Sequence, residues 1–432
     1  MIPELAALDS RPAVVRIPSQ IDVPVTKRIL RLVDTSAFQR LAAISQLGLV
    51  ARVYPGATHS RFEHSLGVYR NSLQFVRRLN QFPDFRQSMS DEDGEALVVA
   101  ALLHDIGHWP YCHPIEDIGM KSLPNHESVA EAILESEEVA ELIDQDWSCD
   151  KRLVKTIIAG QPNNAKESLL CSILSGPIDV DKMDYLYRDS LHCGVPYGMN
   201  FDAPRLINSI CLNESKDGIA ISSKGKTAAE MMVFARYVMF SEVYWHHAVR
   251  SATAMLQRAF FLRTQVDEAV IDFGQLSSWN DRTFVEWMLA NSGSNIPAQA
   301  LFGPRRVLYK RLLDFSADEN PEMYNRIAHK PYEWLLATGK QLAERLSTAT
   351  EKISPDEILI DAPPVGLEVQ FKVPIYDQGR YRPLEQVSPV VKALAQRQFD
   401  DFVKKVRVFI HPRLRDRFRA EEAAENLQAC IE

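Results

Sequence analysis

The chain has 432 residues, of which 46% are hydrophobic and 25% charged, a composition that excludes collagen-like, mucin-like and mostly disordered proteins. Its formal net charge of −8 argues against nucleic acid as the main ligand, because domains that bind a nucleic-acid backbone usually carry a basic surplus. The longest apolar run, Ala96–Leu103, is far shorter than the roughly 20 residues of a membrane span, so no membrane partner is expected.

The six cysteines are scattered without a Cys-x-x-Cys pair, which is typical of free thiols in a reducing compartment. The amino-terminal segment carries two acidic residues and no apolar centre, unlike a signal peptide. We therefore expect a soluble, cytoplasmic protein.

Helical periodicity dominates the first two thirds of the chain. A helix from about His64 is predicted by an apolar stripe of residues three or four apart: Leu66, Tyr69, Leu73, Val76 and Leu79. The segment Glu95–Ile106 is apolar almost all round, which predicts a central buried helix. Ser128–Ile143 has the pattern of a half-exposed helix, and Thr227–Asp272 has the pattern of two successive helices.

The pattern changes after about residue 275, where short β-branched runs separated by Pro and Gly appear. The predicted strands are Glu357–Ile360, Leu367–Pro374 and Val406–Ile410, and a helical stretch, Val387–Lys405, precedes the last of them. We predict a mainly α protein with a helical catalytic core, residues 1–275, and a smaller α+β carboxyl-terminal lobe, residues 276–432.

Histidines are concentrated in one part of the chain. Six of the 11 lie between positions 59 and 126, where a random distribution would place about two: His59, His64, His104, His108, His113 and His126. Such a concentration indicates metal binding, proton transfer or contact with phosphate.

The adjacent pair His104-Asp105 follows a buried apolar segment, where an ionised carboxylate without a partner costs several kcal/mol. A divalent cation at the end of the helix would satisfy both side chains. His64 and an aspartate from the segment Asp179–Asp189 are the natural further ligands, since the apolar residues within that segment predict a helix with one buried side.

The ordered set His64, His104-Asp105 and Asp181 resembles the signature of the HD-domain metal-dependent phosphohydrolases. Three blocks sharpen the resemblance to the deoxynucleoside triphosphate triphosphohydrolases, including the SAM- and HD-domain type, here without a SAM domain: Gln46-Leu47-Gly48, Tyr54–Val68 and Asp179–Tyr185. The match covers roughly residues 28–255. It implies a helical HD domain that holds one divalent ion (Mn, Fe, Zn, Ni or Mg) through His64, His104, Asp105 and Asp181.

The resemblance also implies how a nucleotide substrate is bound. The implied contacts are Arg61, Lys182 and Arg236 with the triphosphate, Gln46 and Leu47 with the sugar and base, Tyr185 and Asp189 with the 3′-hydroxyl, and Tyr244 at the position of a 2′-hydroxyl. Cations are required there, because a triphosphate brings about four negative charges.

The implied reaction is hydrolysis of a dNTP to deoxynucleoside and tripolyphosphate by attack of a metal-activated water on the α-phosphate. His113 corresponds to the acid/base histidine of the family, with His108 and His126 in support and Asp105 at the metal. Glu116 stands where the family often has Asp, and His247 stands where it often has Lys.

Alternatives remain open at this stage. His104 and His108 have the i, i+4 spacing of zinc-protease helices, although Asp105 stands where those sites need Glu. The pocket could instead serve a nucleotide sensor, or an HD phosphohydrolase acting on a nucleoside monophosphate, a cyclic dinucleotide or a nucleic-acid end. For the carboxyl-terminal lobe the resemblance implies homo-oligomerisation, as a dimer or tetramer.

Overall fold

A computed structural model describes residues 2–10, 13–19, 21–267, 271–290, 292–363, 372–396 and 403–432. The predicted mainly α class is confirmed, since helices make up most of the chain and the sheets are small. All six cysteines lie in the described part and are free thiols.

Most of the described helices lie in the first 302 residues. They are α1 (Pro3–Ser10), α2 (Lys27–Val33), α3 (Ser36–Arg40), α4 (Arg61–Leu79), α5 (Pro83–Ser88), α6 (Asp91–Leu103), α7 (Cys112–Glu116), α8 (His126–Leu134), α9 (Glu137–Asp146), α10 (Lys151–Ala159), α11 (Ala165–Ser175), α12 (Val180–Cys193), α13 (Ala203–Asn208), α14 (Lys226–Met239), α15 (His247–Asp267), α16 (Phe273–Ser278), α17 (Asp281–Leu289) and α18 (Ile296–Phe302). A π-helical turn, Phe240–Tyr244, joins α14 to α15.

The remaining helices lie nearer the carboxyl terminus. They are α19 (Pro321–Ile327), α20 (Tyr332–Leu346), α21 (Leu384–Val387), α22 (Pro389–Gln396) and α23 (Ala420–Ile431). Short 3-10 turns occupy Leu41–Ala43, Gly48–Arg52, Tyr197–Met199, Ser223–Gly225, Pro355–Glu357 and Pro412–Leu414.

Nine described strands form three small sheets. They are β1 (Val14–Ile17), β2 (Ile21–Pro24), β3 (Ile210–Leu212), β4 (Ile219–Ser222), β5 (Lys310–Phe315), β6 (Ile358–Asp361), β7 (Pro374–Asp377), β8 (Arg380–Pro383) and β9 (Val406–Ile410). β1 and β2 form an antiparallel pair; the order β3-β4-β7-β8 contains one parallel pairing, β4 with β7; and β9 lies between β5 and β6 with both pairings antiparallel.

The three helices that carry the site begin at well-defined caps. The Ser60 side chain accepts from the backbone of Glu63 at the start of α4, and Asp179 does the same for Lys182 at the start of α12. α6 begins with a reciprocal capping box between Ser90 and Asp93. α6 is surrounded on all sides, with every residue of 96–103 at 0% exposure, and α4 packs against both α6 and α12.

Apolar residues form two large cores. The first includes α4, α6 and α12 and extends to Phe284 of α17 and Leu301 of α18. The second lies between Leu312 and Leu427, around β5, β6, β9, α20 and α23. Arg250 of α15 ties the first to the second, because its Nε donates to Asp361 of β6 at 3.0 Å. The predicted boundary at residue 275 stays a prediction.

Several predicted elements are confirmed. The helix from about His64 is α4, the buried helix is α6, the paired helices of Thr227–Asp272 are α14 and α15, and the strands Glu357–Ile360 and Val406–Ile410 are β6 and β9. Most of the predicted strand Leu367–Pro374 and residues 397–402 of the predicted helical stretch lie outside the described residues; α22 covers part of that stretch.

The prediction of one helix over Ser128–Ile143 is wrong. The chain forms α8 and α9 there, because the hydroxyl and the backbone N–H of Ser136 both donate to Ile133 O, at 2.6 and 3.1 Å, and close the first helix. Strands β1 to β5 and β8 were also missed. All of them except the six-residue β5 are only three or four residues long and have little room for a recognisable alternation.

Candidate active site

The four side chains predicted to hold a metal come together from three helices. His64 lies in the first turn of α4, and Asp181 lies in the first turn of α12. His104 is the C-cap residue directly after α6, and Asp105 follows it. Because α6 ends at Leu103, two consecutive side chains can face one point beyond its end.

Their donor atoms are close enough to share one ion. Nε2 of His64 lies 3.0 Å from Asp181 Oδ1, 3.3 Å from Nε2 of His104 and 4.0 Å from Asp105 Oδ2. His104 Nε2 lies 3.6 Å from Asp105 Oδ1 and 3.8 Å from Asp181 Oδ1. The donor atoms of His64, His104 and Asp105 all lie within 4.8 Å of one another, and Asp181 approaches the two imidazoles. Two imidazoles and two carboxylates suit a divalent transition metal or magnesium, so the residues present fit a metal ion.

Contacts made by Nδ1 orient the imidazoles of His64 and His104 toward one shared point. Nδ1 of His64 lies 2.8 Å from Asp184 Oδ2, and Nδ1 of His104 lies 3.0 Å from the backbone oxygen of Ala101. With the proton on Nδ1, each ring turns the lone pair of Nε2 toward the shared point, as in known metal sites. Asp184 is in turn held by Nε and Nη2 of Arg188, at 2.8 and 2.7 Å.

The electrostatics of the cluster also favour a cation. Burial opposes a charge on His64, yet hydrogen bonds to Asp181 and Asp184 outweigh it and raise the pKa of His64 to about 10. Burial likewise opposes the charge on Asp105, but the neighbouring His108 and Arg61 hold its pKa well below the ordinary value. In the metal-free protein a proton on His64 therefore offsets the negative charge of the carboxylates, which a bound metal ion would otherwise offset.

The second group of predicted histidines lies beside the first. Nε2 of His108 is 3.2 Å from Nε2 of His113, and Nδ1 of His126 is 2.9 Å from Glu116 Oε2. Burial lowers the pKa of His126, but the hydrogen bond to Glu116 outweighs burial and raises it. Glu116, which stands where the family often has Asp, thus orients a histidine of this group.

A cavity of about 260 Å³ reaches the second histidine group, since His113 is part of its lining, whereas the lining does not include the four predicted metal ligands, Lys182, Tyr185, Asp189 or Arg236. Five of the predicted contact residues line it: Gln46, Leu47, Arg61, His113 and Tyr244. Oε1 of Gln46 is buried and has no hydrogen-bond partner among the described residues. Arg61 connects the cavity to the metal cluster, because its Nη1 donates to Asp105 Oδ2 at 2.9 Å.

Two further predicted cations lie near Tyr185. Burial raises the pKa of Tyr185 to about 12, against the opposing charges of Arg236 and Lys182. Nζ of Lys182 donates to Asp179 Oδ2 at 2.6 Å, so its charge is paired in this structure. One of the cations predicted to contact a triphosphate is therefore already paired with a carboxylate.

Asp189 and Tyr244, predicted at the sugar, are bonded to each other. The hydroxyl of Tyr244 donates to Asp189 Oδ2 at 2.6 Å, and Nε2 of His59 lies 2.9 Å from Asp189 Oδ1. The ring of His59 also stacks on His192, with centroids 4.3 Å apart. Tyr244 is therefore held in place by a buried chain of polar contacts.

The zinc-protease arrangement is absent from the described residues around His104. Residues 104–107 form turns rather than helix, so His104 and His108 do not lie on one helix face, and His108 joins His113 and His126 instead. His247 lies apart, lining a basic groove with Arg311.

Sequence reasoning did not predict the contacts that support the site. Glu63 accepts from Arg188, Arg188 holds Asp184, and Asp184 orients His64. Asp179 pairs with Lys182, and His59 contacts Asp189. A signal existed in one case, since Asp184 and Arg188 have the i, i+4 spacing of an ion pair on a helix.

Comparison with known proteins identifies the class. Residues 61–188 match the HD domain, and residues 201–429 match the HD associated region. An uncharacterized protein of Methanocaldococcus jannaschii is 32% identical over 86% of this chain and 74% of its own length. The crystal structure of a hypothetical protein from Aquifex aeolicus superimposes with a TM-score of 0.73, 27% identity and coverage of 96% of this chain and 99% of that one.

The chain therefore belongs to the HD-domain family of phosphohydrolases. It is also similar to the human deoxynucleoside triphosphate triphosphohydrolase SAMHD1, at 25% identity over 80% of this chain and 61% of that protein. In the described part of the chain, no helix combines the length and apolar character needed to cross a membrane.

Proposed function

We propose that this protein is a metal-dependent phosphohydrolase that converts dNTPs to deoxynucleoside and tripolyphosphate. The observation that supports it most is a cavity lined by Gln46, Leu47, Arg61, His113 and Tyr244, in which Arg61 also donates to Asp105 of the His/Asp cluster. The similarity to SAMHD1 supports the choice of substrate.

His64, His104, Asp105 and Asp181 hold the metal in this proposal. A bound divalent ion supplies Lewis-acid polarisation of the α-phosphate and activates water for attack on phosphorus. Asp184 and the Ala101 carbonyl keep the two imidazoles facing the ion, and Arg61 keeps Asp105 ionised.

Arg61, Lys182 and Arg236 bind the triphosphate. Arg61 reaches the cavity while bonded to Asp105, so it links phosphate binding to the metal cluster. Phosphate oxygens compete with Asp179 for Lys182 when substrate enters.

His113 donates a proton to the departing nucleoside oxygen, supported by His108 and His126. Its side chain is 58% exposed and lines the cavity, so it can reach both substrate and solvent. In the cavity, Gln46 and Leu47 contact sugar and base, and the ring of Tyr244 leaves no room for a 2′-hydroxyl. Asp189, which is bonded to Tyr244, contacts the 3′-hydroxyl together with Tyr185.

A substrate and metal screen tests the proposal. The four dNTPs and four NTPs are incubated with Mn²⁺, Fe²⁺, Zn²⁺, Ni²⁺ or Mg²⁺, and tripolyphosphate release is measured. Release from dNTPs with at least one metal, and its loss in H104A/D105A, is the expected result. Binding of dNTP without turnover indicates a sensor, and turnover of monophosphates or cyclic dinucleotides alone indicates another HD phosphohydrolase; either result overturns the proposal.

The role of the carboxyl-terminal lobe is also a proposal. A dimer or tetramer formed through residues 276–432 is tested by light scattering of the full chain, and a monomer at micromolar concentration contradicts it.

A further inference from the structure

The group of His64, His104, Asp105 and Asp181 is called the His64 cluster below. Outside it, four other side chains, one of them a thiol, lie around a common point. The donor atoms of His108, Cys112, His113 and His126 lie within 4.8 Å of one another. We propose that this group is a second metal site that takes a thiophilic divalent ion such as Zn²⁺, and that its occupation inhibits the enzyme. The inhibition rests on the proposed function, whereas the binding does not.

The distance between two of the donors matches a tetrahedral ion. Nitrogens that each lie about 2.0–2.1 Å from Zn²⁺ in tetrahedral geometry are about 3.3 Å apart. Nε2 of His108 and Nε2 of His113 are 3.2 Å apart. The widest separation in the group, under 4.8 Å, requires an inward movement of about 1 Å, which side-chain torsions can supply.

Carboxylates stand behind two of the imidazoles. Nδ1 of His126 bonds Glu116 Oε2 at 2.9 Å, whereas Nδ1 of His108 lies 3.1 Å from Asp105 Oδ1 in an electrostatic contact without hydrogen-bond geometry. A carboxylate at the far nitrogen is the usual support of a metal-binding histidine, because it orients the ring and strengthens its lone pair. The two carboxylates also offset the charge of an ion placed between the rings.

Because this site contains a thiol, it prefers different metal ions from the His64 cluster. The His64 cluster offers imidazole and carboxylate, which accept hard and borderline ions, whereas sulfur favours Zn²⁺, Co²⁺ and Cd²⁺ over Mg²⁺ and Mn²⁺. Cys112 is 1% exposed at the start of α7. On binding, its thiol proton passes to solvent as the sulfur–metal bond forms, with no change of oxidation state.

Occupation of this site removes the proton donor. His113 cannot both coordinate an ion through Nε2 and deliver a proton from that atom. Zn²⁺ at the second site therefore stops turnover while the first site keeps its own metal and the cavity still binds nucleotide.

Binding is tested with Co²⁺ titrated into the metal-free full chain. We expect two bound equivalents, one of which produces the near-ultraviolet charge-transfer band that only a thiolate–cobalt bond gives. The band should disappear in C112S and persist in C149S, the control variant with another buried cysteine. Absence of the band in the unmodified chain, or its persistence in C112S, overturns the proposal.

A second variant tests the same site in case C112S does not fold. His113 is largely exposed, so H113Q should fold, and it should bind the second Co²⁺ about tenfold more weakly or worse. Unchanged binding in H113Q contradicts the site.

Inhibition is tested by adding Zn²⁺ to the chain saturated with Mn²⁺. We expect the Zn²⁺ concentration that halves dNTP hydrolysis to rise about tenfold or more in C112S, relative to that variant's own activity. Equal sensitivity of both proteins means that Zn²⁺ acts at the His64 cluster and overturns the inhibition. If no dNTP is hydrolysed at all, the proposed function fails, and the Co²⁺ band still decides the second site.

Discussion

Asp184 Oδ2 lies 2.8 Å from Nδ1 of His64, in a pair that is buried between α4 and α12. Burial disfavours the charge on Asp184, but Arg188 and His64 outweigh it and lower the pKa of Asp184 to about 2. An ionised carboxylate therefore stands behind the imidazole at neutral pH, and it determines which nitrogen of His64 is free to bind an ion.

Asp184→Asn should weaken Mn²⁺ binding by about 10- to 100-fold, because the neutral amide orients His64 less strongly and adds no negative charge. Equilibrium dialysis measures the affinity, and a thermal melt shows whether the fold survives, since Arg188 loses one of its partners. Asp144→Asn, at a side chain that is 62% exposed, is the control and should change nothing. Unaltered Mn²⁺ affinity in a folded Asp184→Asn protein contradicts the support role.

The approach of α12 to α4 depends on a glycine. A Cβ on Gly67 would lie 1.8 Å from Asp184 Oδ1 and 2.5 Å from Arg188 Nη2. Gly67→Ala should therefore lower the free energy of unfolding by about 1–3 kcal/mol, as overpacking does. Gly94→Ala in α6 is the matched control, because its nearest contact is 3.8 Å away, and it should stabilise by up to about 1 kcal/mol. Urea denaturation compares the two, and equal effects would contradict the clash.

The metal-free protein should lose stability at alkaline pH. The pKa of His64 rises from 6.5 to about 10 on folding, so the folded state holds a proton that the unfolded state has released. This contribution is complete below pH 6.5 and declines as the pH rises toward 10. In the presence of a chelator, the melting temperature of the unmodified chain should fall more steeply between pH 7 and 10 than that of His64→Asn. Identical slopes for the two proteins would contradict the prediction.

Tyr244 should control the choice between deoxyribose and ribose. Removal of its ring in Tyr244→Ala opens space for a 2′-hydroxyl, so the ratio of kcat/KM for dNTP over NTP should fall about tenfold or more. Tyr244→Phe keeps the ring, loses only the hydrogen bond to Asp189, and should retain most of the discrimination. Equal ratios in Tyr244→Ala and the unmodified chain would show that another residue selects the sugar.

His113→Gln should lower kcat by about 10²- to 10⁴-fold, the usual contribution of a general acid. Mn²⁺ affinity should stay unchanged, because His113 does not belong to the His64 cluster. His411→Gln, in the region of the second core, is the control for the loss of a histidine elsewhere. A kcat within twofold of the unmodified chain would assign the proton transfer to another group.

Much of the site could be read from the amino-acid sequence. The resemblance of the ordered set His64, His104-Asp105 and Asp181 to the HD-domain signature predicted the cluster, and the apolar segment before His104 predicted the buried helix whose end exposes two adjacent side chains. The second signal is local: a helix has a fixed period, and an unpaired polar residue after an apolar run needs a partner.

The supporting contacts could not be read in the same way. Nothing in the sequence pairs His59 with Asp189, 130 residues apart, or Glu116 with His126 across a turn. Three- and four-residue strands likewise carry too short an alternation to be recognised. Such pairs form only where packing brings distant segments together, and residues of other types or at other positions could have supplied the partner.

By itself, the sequence determined the mainly helical class, the helices that carry the site and the donor atoms available to a metal, because each follows from residue type and period along the chain. The tertiary structure alone decided which carboxylate orients His64, that Lys182 is paired with Asp179, and that His108 joins Cys112 and His113 rather than His104. Those choices depend on distances of a few ångströms between helices, which are set by the packing of side chains across their interfaces.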